Sequence, residues 1–100
     1  MRDGEALGRY QLAVKRSASR RLTEPYPVGL PVDVAVAVLE LLGGDLLHAP
    51  RRVGKPLTDE LDGVWSARRG DYRVLYEIDD DRRVVTVLDI DHRRDAYRRR

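Results

Sequence analysis

Residues 63–76 constrain the fold of this chain more than any other stretch. Val64, Trp65, Ser66, Ala67, Arg68 and Arg69 lead into a Gly70-Asp71 pair, and Tyr72, Arg73, Val74, Leu75 and Tyr76 lead out of it. Two short runs rich in aromatic and branched residues around a Gly-Asp step are the signal of a tight β-hairpin. Arg68, Arg69 and Arg73 gather on or beside the turn. A guanidinium fork donates paired hydrogen bonds to anionic oxygens, so this concentration suggests a surface that holds phosphates. A second basic cluster closes the chain, with His92, Arg93, Arg94, Tyr97, Arg98, Arg99 and Arg100.

The remaining elements follow from periodicity. Residues 9–15 alternate Tyr10, Leu12 and Val14 with polar or small neighbours, which predicts a half-buried strand. Ser17 is placed to cap a short helix that runs to Leu22 and stops before Pro25 and Pro27. Residues 31–42 carry strand-like valine alternation. Their length, Pro31 at the first helical position and the Gly43-Gly44 stop favour a helix. Residues 48–57 read as a basic loop. Strands are expected at 64–69, 72–78 and 83–90, with an Asp79-Asp80-Asp81 turn between the last two. The last strand, with Val84, Val85, Val87, Leu88 and Ile90, is the most hydrophobic and belongs inside the sheet. A short helix over 92–99 is a further expectation. The order strand, helix, helix, strand, strand, strand predicts an α+β fold, with an antiparallel-dominated sheet and two helices on one face.

One hundred residues suit one domain with a modest core. It is expected over 9–98, behind a loose leader at 1–8 and ahead of a basic tail at 99–100. No apolar run approaches the ~18–20 residues of a membrane span, and residues 1–8 do not resemble a signal peptide. The absence of cysteine excludes disulfides and thiolate chemistry and fits the cytoplasm. Net charge is only +2. Its distribution is uneven: residues 82–100 hold seven arginines against three aspartates, while residues 1–47 balance six basic against six acidic side chains. The basic end is compatible with nucleic acid or an acidic protein partner, and also with a solvated tail.

Metal-ligand spacing is absent, because the two histidines, His48 and His92, lie far apart in a chain without cysteine. No cofactor is expected. Neither Gly43-Gly44 nor Gly54-Lys55 sits in the strand–loop–helix setting of a phosphate-binding loop. Ser17, Ser19 and Ser66 lack a nucleophile signature. What remains is chemistry on RNA, whose 2′-hydroxyl is its own nucleophile: it needs alignment, charge neutralisation and proton transfer. Arg73, Arg93, His92 and Tyr97 offer that set. Three of them also have a structural reading: Arg73 in an ion pair, His92 beside Asp89 or Asp91, and Tyr97 as a packing anchor. Trp65, Tyr72 and Tyr76 read as packing residues.

Lys55-Pro56-Leu57, then Leu61-Asp62-Gly63 through Tyr76, then Asp91-His92-Arg93-Arg94-Asp95-Ala96-Tyr97 resemble the RelE/ParE superfamily of type II toxin–antitoxin toxins. The match is to its actinobacterial RelE branch and covers roughly residues 9–98. The resemblance implies a ribonuclease that cleaves messenger RNA in the ribosomal A site, without metal, by 2′-hydroxyl attack. It also implies inhibition by a RelB-like antitoxin, with operator DNA bound only through that antitoxin. Arg73 matches the arginine that stabilises the attacked phosphate, Arg93 the one that supports the leaving group, and Tyr97 the tyrosine that orients RNA. Arg68, Arg69, Arg94, Arg51, Arg52 and Lys55 are further substrate-binding candidates. Arg16, Arg20, Arg21 and residues 98–100 join Arg51 and Arg52 as candidates for ribosomal RNA.

One departure matters. Better-known members carry two lysines along the strand before the turn, one a candidate general base. A gap-free alignment from Arg73 puts Val64 and Ser66 at those positions. His92 then becomes the preferred proton-transfer candidate. Rival expectations are a ParE-like gyrase inhibitor without nuclease chemistry and a weakened toxin that mainly binds its antitoxin.

Overall fold

The structure is a computed structural model that describes residues 9–57 and 63–92. Eight elements follow one another: β1 Gln11–Val14, α1 Arg16–Thr23, α2 Val32–Gly43, α3 Asp45–His48, β2 Lys55–Pro56, β3 Trp65–Arg69, β4 Tyr72–Asp79 and β5 Val84–His92. They make a mixed α+β fold on one five-stranded sheet of order β1-β5-β4-β3-β2. β1 pairs parallel to β5 and the other pairings are antiparallel. The most hydrophobic strand therefore lies inside the sheet, as its sequence suggests.

The β3–β4 hairpin closes with Arg69 opposite Tyr72 across the two-residue turn. Gly70 has φ 60°, a conformation open to glycine at little cost, which matches the first position of a type II′ turn. In the β4–β5 ladder Leu75 faces Asp89 while Tyr76 faces Val87, so Leu88 is an extra residue in β5. This bulge changes the alternation along the strand. Val85 and Val87 point to the helix side before it, and Ile90 does so after it.

The helices cover the sheet face that carries Ala67, Val74, Tyr76, Val85, Val87 and Ile90. Ala18 of α1, Val38, Leu41 and Leu42 of α2, and Leu46 and Leu47 of α3 fill the core from above. Burying side chains of this size contributes ~1.5–3 kcal/mol each. The glycine stop holds: α2 ends at Gly43, and Gly44 separates it from α3. Pro31 occupies the cap position rather than the first turn.

Several local expectations need correction. Ser17 is not the cap of α1: the cap position is Lys15, and the Ser17 hydroxyl donates to the Leu88 carbonyl at 2.8 Å. Leu12 and Val14 do not enter the core, since β1 is an edge strand and leaves both exposed. Residues 48–57 are not wholly loop, because Lys55 and Pro56 add a fifth strand and α3 ends at His48. β5 continues through His92, past the expected Ile90, so the first residue of the expected terminal helix is extended. The rest of that helix lies outside the described residues, as do Arg93, Arg94 and Tyr97.

Candidate functional site

Pairing assigns every strand residue to a sheet face, because directly opposed residues share a face and successive ones alternate. Arg68 stands opposite Arg73, and Arg73 opposite Asp91. One row further along, Lys55 faces Ser66, Ser66 faces Leu75, and Leu75 faces Asp89. All of these belong to the face away from the main core. Val64 and Leu75 are buried there yet stand outside the main core cluster.

Two arginines directly opposed on a ladder repel rather than stabilise each other. Asp91 partly offsets them. It is fully buried, and Arg21 Nη2 of α1 lies 3.5 Å from its Oδ1. Arg21 reaches it because β1 stops at Val14 and α1 then runs alongside the second half of β5. The row thus reads Arg68, Arg73, Asp91, Arg21: three cations around one anion. An exposed face with that surplus suits a further anion. Lys55 and Arg68 are both exposed, and Arg73 is half-buried.

Other sequence candidates sit elsewhere. His92 faces Tyr72, next to the Arg73–Asp91 pair, and so lies on the opposite side of the sheet from Arg73. Its ring meets Tyr72 edge-on, with centroids 5.2 Å apart. Arg69 also falls on the Tyr72 side, and its Nη1 donates to the Arg68 carbonyl at 2.6 Å.

Arg51 makes an exposed ion pair across to the β4–β5 turn. Its guanidinium donates to both oxygens of Asp80, at 2.7 and 3.2 Å, and lies 5.9 Å from the Trp65 ring centroid. The Tyr10 hydroxyl donates to the same carboxylate at 2.5 Å. These hydrogen bonds, Arg51 first and Tyr10 second, hold the Asp80 carboxyl down at about 2. Arg52 is exposed on the neighbouring turn, Arg16 is exposed on α1, and Arg20 approaches Glu24 at 4.0 Å. Trp65, Tyr72 and Tyr76 pack on the core, as expected for aromatic residues in a small sheet.

Sequence reasoning missed Asp91, Arg21 and Ser66 as neighbours of the arginines. The pairing register brings Asp91 and Ser66 there and the course of α1 along β5 brings Arg21, while the two-residue β2 carries no periodic signal. Among the described residues no helix is long and apolar enough to cross a membrane.

Comparison with known proteins fits this architecture. Residues 20–97 match the family described as the ParE toxin of the type II toxin–antitoxin system parDE. Toxin RelG of Mycobacterium tuberculosis is 56% identical over 70 residues, covering 70% of this chain and 80% of that protein. Toxin RelE of the same organism is 44% identical over 89 residues, covering 89% and 87%. In the crystal structure of the M. tuberculosis RelBE2 toxin–antitoxin complex, one chain superposes with a TM-score of 0.73 at 45% identity. That match covers 84% of this chain and 98% of the other. The family match over residues 20–97, with relatives 44% and 56% identical over most of their length, places the chain in the RelE/ParE superfamily of type II toxins.

Proposed function

We propose that the protein is a ribosome-dependent messenger RNA endonuclease acting in the cytoplasm and held inactive by a RelB-like antitoxin. The observation that carries this reading is the Arg68–Arg73 pair, opposed on the face away from the core. Guanidinium groups so placed suit a phosphodiester whose charge grows in the transition state. In the reaction the RNA 2′-oxygen bonds to phosphorus as the bond to the 5′-oxygen breaks. The 2′-hydroxyl gives up its proton and the 5′-oxygen gains one, leaving a 2′,3′-cyclic phosphate and a 5′-hydroxyl end. Arg73 neutralises the attacked phosphate and Arg68 adds to the local positive potential. Arg93 supports the leaving oxygen, and Tyr97 orients the strand. The basic side chains of α1 and the tail contact ribosomal RNA, an interaction that weakens with salt.

An antitoxin with acidic side chains over Arg68, Arg73 and Arg93 competes for the groups that would hold RNA. Inhibition is then occlusion, and operator DNA is reached only through the antitoxin.

Mapping messenger RNA ends after induction of the protein and of Arg73→Ala tests the reading. Cuts confined to translated frames, lost in the variant, support it. Growth arrest with intact messenger RNA and broken DNA overturns it in favour of a ParE-like gyrase inhibitor. One observation favours that second reading: Val64, where other members carry a lysine, is a buried valine unable to carry a proton.

A further inference from the structure

The shortest strand places a third cation beside the two arginines. β2 contains only Lys55 and Pro56, yet it fixes Lys55 directly opposite Ser66. Ser66 and Arg68 are two apart on β3 and share a face, which is also the face of Arg73. Directly opposed residues hold their Cβ atoms ~5 Å apart and diagonal ones ~7 Å. Lys55 is therefore diagonal to Arg68, and Arg73 is diagonal to Ser66 on the other side. Lys55 is exposed, and Ser66 is too small to cover it.

Gly54 sets how closely the backbone at Lys55 approaches β3. A Cβ on Gly54 would strike the Tyr76 hydroxyl and come within 2.8 Å of the Ser66 carbonyl oxygen. Glycine at 54 thus lets β2 close onto β3, which holds the next residue over Ser66.

We propose that Lys55 and the Ser66 hydroxyl form a second phosphate subsite, which holds the phosphodiester next to the one at Arg73. The RNA strand then crosses β4, β3 and β2 rather than running along them. Two strand spacings across the sheet and two residues along it put the backbones of Arg73 and Lys55 about 12 Å apart. Lysine and arginine side chains are long enough to span that gap to adjacent phosphates. The ammonium supplies a point charge, the serine a directed donor. A lysine on an edge strand also discourages edge-to-edge pairing, and that role alone predicts no effect on RNA.

The subsite rests on the ribonuclease reading, and the test separates the two. Binding of a short single-stranded 2′-O-methyl RNA, which lacks the nucleophile, is measured against salt concentration for the isolated toxin and for Lys55→Ala. The slope of log affinity against log salt should fall by about 0.7, the loss of one phosphate contact on a single strand. Ser66→Lys in the Lys55→Ala background should restore it, because it returns the charge to the same face one strand over. An unchanged slope in Lys55→Ala, with Arg73→Ala still reducing it, overturns the subsite and leaves the ribonuclease reading intact. A slope that falls in Lys55→Ala and is not restored by Ser66→Lys overturns the crossing path, since charge at that spot is then not what RNA senses. Messenger RNA end mapping judges the ribonuclease reading separately. Absence of RNA binding by the unmodified protein removes the subsite as well.

Discussion

Asp91 stands directly across the β4–β5 ladder from Arg73, fully buried, with Arg21 Nη2 3.5 Å from its Oδ1. One carboxylate thus lies between an arginine of β4 and an arginine of α1. A buried anion is tolerable only with such company. Asp91→Asn keeps the shape and removes the charge. It should lower stability on the order of 2 kcal/mol, less than for a fully buried pair because both arginines reach solvent. The urea midpoint checks this. RNA affinity should rise with the extra positive charge while turnover falls as Arg73 loses its orientation. A parallel loss of both would mean that Asp91 serves the fold alone.

Tyr76 is buried beneath the hairpin, and its hydroxyl donates to the Pro50 carbonyl at 2.6 Å. Burial pushes its phenol up to about 12. The unfolded chain ionises near 10, so the folded form keeps its proton where the unfolded form loses it. This contribution is complete below pH 10 and disappears as the pH rises toward 12, by up to about 2 kcal/mol. Urea midpoints at pH 9 and 11.5 should show the decline, and Tyr76→Phe should flatten it. The same variant costs about 1 kcal/mol at neutral pH, for the lost hydrogen bond.

Asp80 gives the opposite limb. Its carboxyl is held at about 2 by Arg51 and then Tyr10, below the ordinary 3.8. The ion pair contributes fully above pH 4 and is lost as the pH falls toward 2. Asp80→Asn should remove that acid-limb dependence and leave the alkaline limb unchanged. Thermal midpoints across pH 2–5 decide the matter.

Gly54→Ala should destabilise by about 1–3 kcal/mol, since a methyl group there collides with a buried tyrosine and a strand carbonyl. Gly43→Ala is the control, because a Cβ at that position meets nothing within 4 Å. Chemical denaturation of the two variants side by side distinguishes a local clash from a general intolerance of alanine.

The long elements were legible because they repeat. Val74, Tyr76, Val85 and Val87 announce strands, and the length of residues 31–42 outweighs their valine alternation. What stayed hidden depends on pairing. Lys55 and Pro56 are too few to show a period, and the approach that makes them a strand comes from Gly54 and Tyr76 on different segments. The serine at 17 looks like a cap, but the helix starts one residue before it, leaving its hydroxyl to reach Leu88. Arg73, Arg68 and His92 were all visible as chemistry. Their faces were not, since an unbroken alternation from Val85 sends Asp91 to the core side and His92 toward Arg73. Nor does the sequence hint that Arg51 and Tyr10 converge on Asp80.

That reversal rests on Leu88. Up to Val87 the odd positions of β5 feed the core, and from Ile90 the even ones do. The strand is two half-strands out of phase, stitched by one residue that is neither core nor site. The first half anchors against the helices, while the second half places Asp91 opposite Arg73 and Asp89 opposite Leu75. Lengthening or shortening the stitch would re-aim Asp89 and Asp91 without altering a single residue of β3 or β4. In this fold the tuning knob of the site is a count of residues rather than a residue type.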